Sequence, residues 1–406
     1  MSRNIPYLTL DPAIEKAIRA DRAAGRASAY RTPDEAVIRR EPNPHDEATL
    51  ARPAFARDIE KILNVPAYNR YAGKTQVFSF VEDDDICRRG LHVQLVGRVA
   101  RGIGELLGLN GNLIEAIALG HDVGHTPFGH AGERYLSKAL HSRTGRYFNH
   151  NVHSVRVLDK LYRRNISLQT LDGVLCHNGE FACQTLNLGS ISDFDALDSA
   201  VEACCQDESN IASLRPSTLE GCVVRVSDMI AYLGKDRQDA LDRGVIDSLD
   251  IFESDYIGVA NAQIINNLTV DIVNHSYGTD RISMSAEAFA DIKRAKRQNY
   301  ELIYDREGMT EDAGNRLEEM FDRLYERLFA DLQNGDESSP LFRHHLAKLC
   351  AMSRSITAET YLAEDPHQVV VDYISSMTDN YFMALYEHLF PGEAADITSH
   401  SYCADL

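Results

Sequence analysis

Paired cysteines, long apolar runs and an excess of positive charge are all missing from this sequence, and each absence argues against a class of protein. The eight cysteines among the 406 residues form no CxxC pair and show no regular spacing, which argues against a disulfide framework or a zinc ribbon. No stretch reaches the roughly 18 apolar residues that span a bilayer, and the first residues lack the apolar run of a secretory signal. The sequence therefore favours a protein of the reducing cytoplasm without a membrane partner.

Basic residues are fewer than acidic ones. The chain has 42 Lys+Arg against 61 Asp+Glu, a formal net charge of −19. A charge of this sign repels nucleic acids and anionic lipid surfaces, so neither is an expected partner. A polyanionic substrate would need a locally positive pocket, formed by a metal ion or by inward-pointing arginines.

The hydrophobic pattern predicts an all-α protein. Hydrophobic residues make up 44% of the chain and charged residues 25%, which is enough for a sizeable core. From about residue 55 onward, apolar residues recur at helical spacing, and no convincing run alternates as a strand does. Residues 1–50 are expected to form an irregular arm on the surface, since prolines interrupt helices there: Pro33, Pro42 and Pro44.

A single helical domain is predicted over residues 51–406. Its core covers about 85–240, and a C-terminal helical part covers about 286–390, including a helix expected over 369–389. Residues from about 178 to 216 are acidic, polar and weakly periodic. We expect them to form an excursion on the surface.

Two histidines lie on apolar faces of predicted helices. His92 shares the buried face of a helix expected over 92–108, and His121 that of a helix expected over 111–122, because apolar residues recur at three and four positions from each. A lone histidine of this kind is more often satisfied by a backbone carbonyl than bound to a metal. The neighbouring residues decide between the two interpretations.

The densest polar cluster is HDVGHTPFGHAGE, residues 121–133. Imidazoles and carboxylates together bind divalent ions that keep positions open for water and phosphate oxygens. His121 and Asp122 stand where a helix ends, so both can converge on one ion. Asp228 lies in the apolar run VVRVSDMI, where a buried carboxylate needs a partner such as a metal ion. Together with His92, these residues predict a metal site.

This pattern resembles the HD-domain superfamily, and within it the dGTPase-like deoxynucleoside triphosphate triphosphohydrolases. The order H…HD…D falls on the four predicted ligands, and the extended signature HDxGHxPFGHxGE is complete. Further similar stretches extend from about residue 52 to 390, among them KTQVF at 74–78 and TLEG at 218–221. The resemblance implies an HD-domain helical fold with additional C-terminal helices.

The resemblance also implies a reaction. Water attacks the α-phosphorus of a deoxynucleoside triphosphate (dNTP), and tripolyphosphate is released intact. His130 and Glu133, three residues apart on one helix face, are implied as an acid/base pair, with His125 close to the α-phosphate. A divalent ion is the implied cofactor, Mg²⁺ or Mn²⁺, with Fe²⁺ and Co²⁺ also suited to the ligands. The alternative for these three residues is a purely structural role in the turn.

Five further positions match substrate contacts of the family. Arg89 matches a phosphate contact, His150 a second histidine on the phosphate side, and Gln76 a residue near the sugar and base. Tyr232 and Asp236 follow the predicted metal-binding aspartate by one and two helical turns, so they continue along the same stripe. The alternatives are a solvated arginine, a core histidine and a helix face of mixed polarity.

The sequence departs from the family pattern at two places. Met229 stands where some relatives have a lysine, and Leu91 stands before His92 where a threonine is common. Another HD phosphohydrolase, such as a nucleotidase or cyclic-nucleotide phosphodiesterase, and a non-catalytic nucleotide-binding HD protein remain alternatives. The resemblance further implies a homo-oligomer, a tetramer or hexamer, and a dNTP as activator as well as substrate. It does not fix the preferred base.

Overall fold

The structure, a computed structural model, describes residues 5–80, 84–178, 182–305, 311–352 and 356–393. Regular structure in these ranges is almost entirely helical, which confirms the all-α prediction. The helices in the first part of the chain are α1 (Pro12–Ala23), α2 (Ala54–Leu63), α3 (Pro66–Arg70), α4 (Arg89–Leu107), α5 (Gly111–Gly120), α6 (Gly129–Thr144), α7 (His150–Arg156) and α8 (Leu168–Leu175).

The second part of the chain continues the helical pattern. Its helices are α9 (Phe194–Gln206), α10 (Leu219–Asp242), α11 (Asn261–Ser276), α12 (Ala286–Asn299), α13 (Glu311–Gln333), α14 (Ala347–Met352), α15 (Ala358–Leu362), α16 (Pro366–Ser375) and α17 (Asp379–Leu389). Two short strands, β1 (Thr185–Leu186) and β2 (Ile282–Ser283), pair antiparallel. None of the helices in the described ranges is both long and apolar enough to cross a membrane.

Helices α4, α5 and α10 have well-defined ends. The Asn110 side chain accepts hydrogen bonds from the first backbone N–H groups of α5, and Thr218 does the same for α10. Helix α4 ends at Gly108, whose φ of 72° is a left-handed conformation that glycine adopts without steric cost. These caps satisfy backbone groups that would otherwise be orphaned, and they fix where α5 and α10 begin and where α4 ends.

Helices α4 and α5 lie between two hydrophobic clusters. Val96 and Ile117 belong to a cluster with buried residues of α10, α11 and α12. Val93 and Ala116 belong to a second cluster with buried residues of α6, α8, α13, α16 and α17. Each helix therefore has one face in each cluster, which holds its polar positions in place between them.

The first fifty residues contain more regular structure than the sequence predicts. Asp11 caps α1 by accepting from the N–H of Ala13 at 2.8 Å, and Ile18 is buried. The prolines that suggested an irregular arm lie after this helix and do not interrupt it. The backbone N–H of Leu8 also donates to Asn267 at 2.8 Å, so the segment is bound to the helical body.

The acidic stretch at 178–216 contains helix α9. Asp193 caps it, accepting from the N–H of Ala196 at 2.8 Å, and its buried residues are Leu197 and Cys204. Two buried positions seven residues apart make a weak periodic signal, which explains why the pattern did not reveal the helix.

The helix expected over 369–389 is two helices, so that prediction was wrong in its continuity. Helix α16 ends at Ser375, whose carbonyl accepts a hydrogen bond from the buried Lys74 ammonium at 2.8 Å. Thr378 then caps α17, accepting from the N–H of Tyr381 at 3.3 Å. The break leaves the Ser375 carbonyl free to accept from Lys74, and a new helix begins at Asp379.

Candidate functional site

A cleft of about 380 Å³ is lined by residues of α4, α6, α7 and α10, by the turn that follows α5 and by the residues just after α8. Its lining includes most of the residues that the sequence singled out: Gln76, Arg89, His92, Asp122, His125, His130, His150, Asp228, Tyr232 and Asp236. The other two, His121 and Glu133, lie directly behind this lining and contact it. Positions far apart in the sequence thus converge on one cleft.

His92, His121 and Asp228 point at one another. The Nε2 of His92 is 3.0 Å from Oδ1 of Asp228, and the Nε2 of His121 is 3.9 Å from the same oxygen. His121 Nδ1 donates to the carbonyl of Ala118 at 2.7 Å, which leaves Nε2 as the acceptor atom of the ring. This Nε2 is buried without a hydrogen-bond partner among the described residues, as expected for a nitrogen that binds a metal.

Asp122 lies next to this group, against His121. Its Oδ2 is 3.6 Å from His121 Nε2 and accepts a hydrogen bond from the Arg89 guanidinium. Burial alone would raise the pKa of Asp122, but the neighbouring His121 and Arg89 hold it well below its ordinary value. The pKa of Asp228 is likewise lowered against the effect of burial, by the hydrogen bond from His92 and by His121. Two imidazoles and two ionised carboxylates fit a divalent ion.

Glu133 orients two further histidines. Its Oε2 is 3.0 Å from His130 Nδ1, and its Oε1 is 2.8 Å from His150 Nδ1 and 2.7 Å from the backbone nitrogen of His150. Burial would raise the pKa of Glu133, but His150 and His130 hold it well below its ordinary value. An ionised carboxylate can only accept hydrogen bonds, so both rings carry a proton on Nδ1. His130 is half exposed to the cleft.

His125 is completely buried, and both of its ring nitrogens lack a hydrogen-bond partner among the described residues. Burial, with the positive charge of Arg89 close by, holds its pKa well below the ordinary value. The ring stacks on His150 with 4.5 Å between centroids. Two unsatisfied buried nitrogens cost about 1 to 3 kcal/mol each, which indicates that a ligand satisfies them.

The turn that carries His125 is fixed by close backbone packing. Gly124 donates its N–H to Ser154 Oγ at 2.9 Å, and a Cβ at this position would lie 2.2 Å from the backbone nitrogen of Ser154. Phe128 has a left-handed φ of 60°, and its N–H donates to Asp379 in α17 at 2.9 Å. Only glycine fits at position 124, and α17 stabilises the left-handed conformation of Phe128.

His177, which the sequence analysis did not name, belongs to the same group. It follows α8, and its Nδ1 donates to the carbonyl of Val174 at 2.7 Å. Its Nε2 lies 3.2 Å from His150 Nε2 and 3.7 Å from Asp122 Oδ1. Burial lowers its pKa to about 3. The signal was present, because a histidine directly after an apolar helix is also the setting of His121.

Tyr304 is a second residue that the sequence did not reveal. Its hydroxyl donates to Asp236 Oδ2 at 2.5 Å, and burial raises the pKa of Asp236 to about 7. Tyr232, one turn before Asp236 on α10, also lines the cleft, and Gln76 Oε1 is buried there without a partner among the described residues. This end of the cleft therefore combines aromatic rings with a carboxyl group and an unsatisfied amide oxygen, a lining suited to a sugar or base.

The chain matches two known family models. Residues 89–200 match the HD domain, and residues 338–388 match the phosphohydrolase-associated domain. The HD-domain match covers the first three predicted metal ligands and the turn that follows them. HD domains bind divalent metals, and the buried histidines and aspartates of this cleft form groups that could hold one.

Known relatives extend the match over most of the chain. The chain is 30% identical over 351 residues to a deoxyguanosinetriphosphate triphosphohydrolase-like protein of Caldanaerobacter subterraneus, covering 85% of this chain and 87% of the relative. It is 32% identical over 353 residues to a protein of the same description from Desulfatibacillum aliphaticivorans, covering 84% and 88%. A phosphohydrolase structure from Bacteroides thetaiotaomicron aligns with a TM-score of 0.42 at 15% identity, covering 86% of this chain and 71% of that one.

The family match and the helical structure agree, and the predicted HD-domain fold is confirmed. The buried histidine and aspartate cluster lies inside the matched region and provides donor atoms of the kind that divalent ions require. The chain therefore belongs to the HD-domain phosphohydrolases, in the family of deoxyguanosinetriphosphate triphosphohydrolase-like proteins.

Proposed function

We propose that the protein hydrolyses deoxynucleoside triphosphates, dGTP among them, to a deoxynucleoside and tripolyphosphate, with a divalent ion bound by His92, His121, Asp122 and Asp228. The observation that carries the proposal is the Glu133 carboxylate, which holds His130 and His150 beside these ligands. A metal site alone suits many phosphohydrolases. An oriented imidazole next to it supplies a proton-transfer group for a difficult leaving oxygen.

The balance of the reaction defines what the residues must do. The Pα–O5′ bond breaks, the oxygen of the attacking water stays on tripolyphosphate, and a proton reaches the 5′-oxygen of the deoxynucleoside. A bound divalent ion supplies neutralisation of phosphate charge and acidifies water. The protein has to position the α-phosphate and to move one proton.

His130 is suited to the proton transfer. Its Nδ1 proton is held by Glu133, so proton exchange with the substrate takes place at Nε2 of this half-exposed ring. The ionised carboxylate stabilises the imidazolium that forms when Nε2 accepts a proton. Glu133 itself need not change its protonation state.

His125 and Arg89 are suited to binding the phosphates. A neutral, buried His125 has one N–H to donate, and a phosphate oxygen would satisfy it. The Arg89 guanidinium is already positioned by Asp122 and by the carbonyl of Thr75 at 3.1 Å. It provides the positive charge that an anionic substrate needs in a protein of net charge −19.

The far end of the cleft is suited to the deoxynucleoside. Asp236 can accept a hydrogen bond from a 3′-hydroxyl, while the rings of Tyr232 and Tyr304 offer apolar surface to the sugar or base. Gln76 Oε1 offers an acceptor there. The homo-oligomer, a tetramer or hexamer, and the activating dNTP implied by the family resemblance stay part of this proposal.

The proposal is tested by incubating the purified protein with each dNTP and NTP, singly and in mixtures, with Mn²⁺ or Mg²⁺. Chromatography separates nucleoside, orthophosphate and tripolyphosphate, and we expect tripolyphosphate and deoxynucleoside in equal amounts. In ¹⁸O-labelled water, the label should appear in tripolyphosphate. Orthophosphate alone would identify a nucleotidase, opening of a cyclic ester a phosphodiesterase, and no product from any mixture a non-catalytic protein. Each of these results would overturn the proposal.

A further inference from the structure

A second cavity, of about 220 Å³, lies beside the turn that follows α5. Residues of α3, α7, α14 and α16 line it, together with Lys74 and Val123. It shares no lining residue with the cleft, although Lys74 directly precedes Thr75 and Val123 directly follows Asp122, both of which line the cleft. This space, the α3–α16 cavity, is therefore separate from the cleft but adjoins it through the backbone of these two segments.

Three cations line the α3–α16 cavity without an anionic partner in the described part of the chain. They are Arg70, Lys74 and Lys348, and no carboxylate of the described residues lies within ion-pair distance of any of them. Arg70 contacts the hydroxyl of Tyr162, and burial raises the pKa of that hydroxyl, so this partner is uncharged. Lys348 is exposed to solvent.

Lys74 is the buried member of this set. Its side chain is 2% exposed, and its ammonium donates to the carbonyls of His125 and Ser375. Burial, with Arg70 and Arg89 close by, lowers the pKa of Lys74 to about 7. Uncharged carbonyls offset only part of the cost of burying a charge, and an ammonium has three donors. An anion beside Lys74 would accept from it and stabilise its charge.

Asp372, the one carboxylate among the described residues that line this cavity, is already neutralised. Each of its oxygens accepts from Arg156 at 2.7 Å, and the carboxylate also accepts from Tyr361 and from Gln368, both at 2.9 Å. The charge of Arg156 balances that of Asp372, and four hydrogen bonds fill the capacity of a carboxylate to accept. Asp372 therefore does not offset the charge of the three lining cations.

The two histidines that line the cavity are uncharged. Burial lowers the pKa of His153 and that of His345 to about 4. Their Nε2 atoms form hydrogen bonds with the hydroxyls of Ser375 and Tyr361, both at 2.7 Å. The charge of the cavity is therefore that of its three unpaired cations. A positive cavity in a protein of net charge −19 is a place where an anion is attracted.

We propose that an inorganic phosphate anion, orthophosphate or a short polyphosphate, binds in the α3–α16 cavity between Arg70, Lys74 and Lys348. Guanidinium and ammonium groups are the side-chain donors that bind phosphate oxygens in proteins. Sites that enclose drug-sized ligands measure about 300 to 1,000 Å³, so a cavity of about 220 Å³ is too small to enclose a whole nucleotide. The inference does not depend on the proposed function, because no residue that lines the cleft takes part.

Lys74 connects the bound anion to the cleft. An anion beside the ammonium raises the pKa of Lys74 again and strengthens its hydrogen bond to the His125 carbonyl. We expect backbone N–H groups of residues 121–129 to exchange with deuterium more slowly in phosphate than in chloride of equal ionic strength, as measured by mass spectrometry. Equal rates at saturating phosphate would overturn the assignment of Lys74 to the site.

Titration calorimetry on the metal-free full chain tests the site itself. Sodium phosphate is titrated in parallel with sodium chloride of equal ionic strength, and we expect saturable phosphate binding with a Kd below about 10 mM. Arg70→Gln and Lys348→Gln should each weaken this binding at least about tenfold, since each removes a charged donor. Absence of binding would overturn the inference. Binding that neither substitution weakens would also overturn it, by placing the phosphate in the cleft.

Arg98→Gln is the matched control. It removes one positive charge at an exposed arginine of α4 and should leave the phosphate affinity unchanged. Circular dichroism checks the fold of each variant, and Lys348→Gln, at an exposed position, carries the test if Arg70→Gln does not fold. An equal loss of affinity in Arg98→Gln would attribute the effect to overall charge and contradict a local site.

Three ligands distinguish the source of the phosphate group. Orthophosphate, tripolyphosphate and dGTP are titrated separately into the wild type and Lys348→Gln. We expect the substitution to weaken binding of the two inorganic anions and to leave the dGTP affinity unchanged. Weaker binding of dGTP alone would make the cavity a nucleotide site and defeat the inference. Phosphate binding without tripolyphosphate release from any dNTP would defeat the proposed function and leave this site in place.

Discussion

At the scale of single residues, the chemistry of the cleft depends on which ring nitrogen of each histidine carries a proton. His121 and His177 each donate Nδ1–H to a backbone carbonyl three residues earlier, and His130 and His150 donate to Glu133. All four acceptors are fixed by the fold, so the tautomers of the rings are fixed as well. The chemistry of the cleft is therefore concentrated at the Nε2 atoms.

Replacing His130 should separate catalysis from structure. We expect His130→Ala to lower kcat by about 10²- to 10⁴-fold, because proton transfer by an oriented imidazole contributes about that much. Metal content and thermal stability should change little, since the side chain is half exposed. His141→Ala removes an exposed histidine from the same helix and should leave kcat unchanged. Loss of the fold in the first variant would assign His130 a structural role instead.

At the scale of elements, the turn between α5 and α6 is held from two sides. Helix α7 packs its backbone against Gly124, and α17 presents Asp379 to the N–H groups of Phe128 and Thr75. The Lys74 ammonium links the carbonyls of His125 and Ser375. The position of the turn is therefore determined by the backbone of α7 and by the side chains of Asp379 and Lys74.

A methyl group at Gly124 should displace this turn. In Gly124→Ala the new carbon would lie 2.2 Å from the nitrogen of Ser154 and 2.5 Å from the carbonyl carbon of His153, and neither backbone atom can move aside. We expect a loss of at least about 1 to 3 kcal/mol in the free energy of unfolding, measured by urea denaturation. Gly102→Ala on α4 meets nothing within 4 Å and should stabilise the protein by about 0.5 to 1 kcal/mol.

The junction of α8 and α10 should make stability depend on pH. Burial raises the pKa of Asp172 to about 7, from 3.8 in a model peptide, although the Ser217 N–H donates to it at 2.7 Å. Between pH 4 and 7 the folded protein keeps a proton that the unfolded chain releases. The contribution of Asp172 to the free energy of unfolding therefore falls as pH rises. The total decrease is at most about 4 kcal/mol, and it levels off above pH 7.

Asp172→Asn isolates this contribution, because the amide oxygen can still accept from Ser217 and does not ionise. Urea denaturation at several pH values from 5 to 8 should show the variant gaining stability relative to the wild type as pH rises. A difference that is independent of pH would contradict the raised pKa.

At the scale of the whole molecule, the sequence predicted which residues converge on the cleft better than it predicted the contacts that hold them there. The proposed metal ligands stand out in the sequence because His121 and Asp122 are adjacent and because His92 and Asp228 lie on apolar helix faces. Tyr304 contacts Asp236 from 68 residues away, and the break after Ser375 depends on Lys74, 301 residues earlier. No local pattern encodes such distant pairs.

Replacing Asp379 should lower the free energy of unfolding of the whole protein. Asp379→Ala leaves the buried N–H groups of Thr75 and Phe128 without their acceptor, which should cost about 2 to 4 kcal/mol of unfolding free energy and lower activity. Asp365→Ala removes an exposed carboxylate that caps only its own helix, α16, and should cost about 1 kcal/mol without affecting activity. Equal losses in urea denaturation would show that Asp379 acts only as a helix cap.

The same aspartate has a consequence for how the chain is made. Phe128 is 251 residues from Asp379, and Thr75 is 304 residues from it. A ribosome adds about 5 to 20 residues per second, so after Phe128 has been added, roughly 12 to 50 seconds pass before Asp379 is added. During that interval the histidines of the turn are already present on the nascent chain. Any metal ion captured then is bound by an incomplete site, before the C-terminal helix can hold it in its final shape.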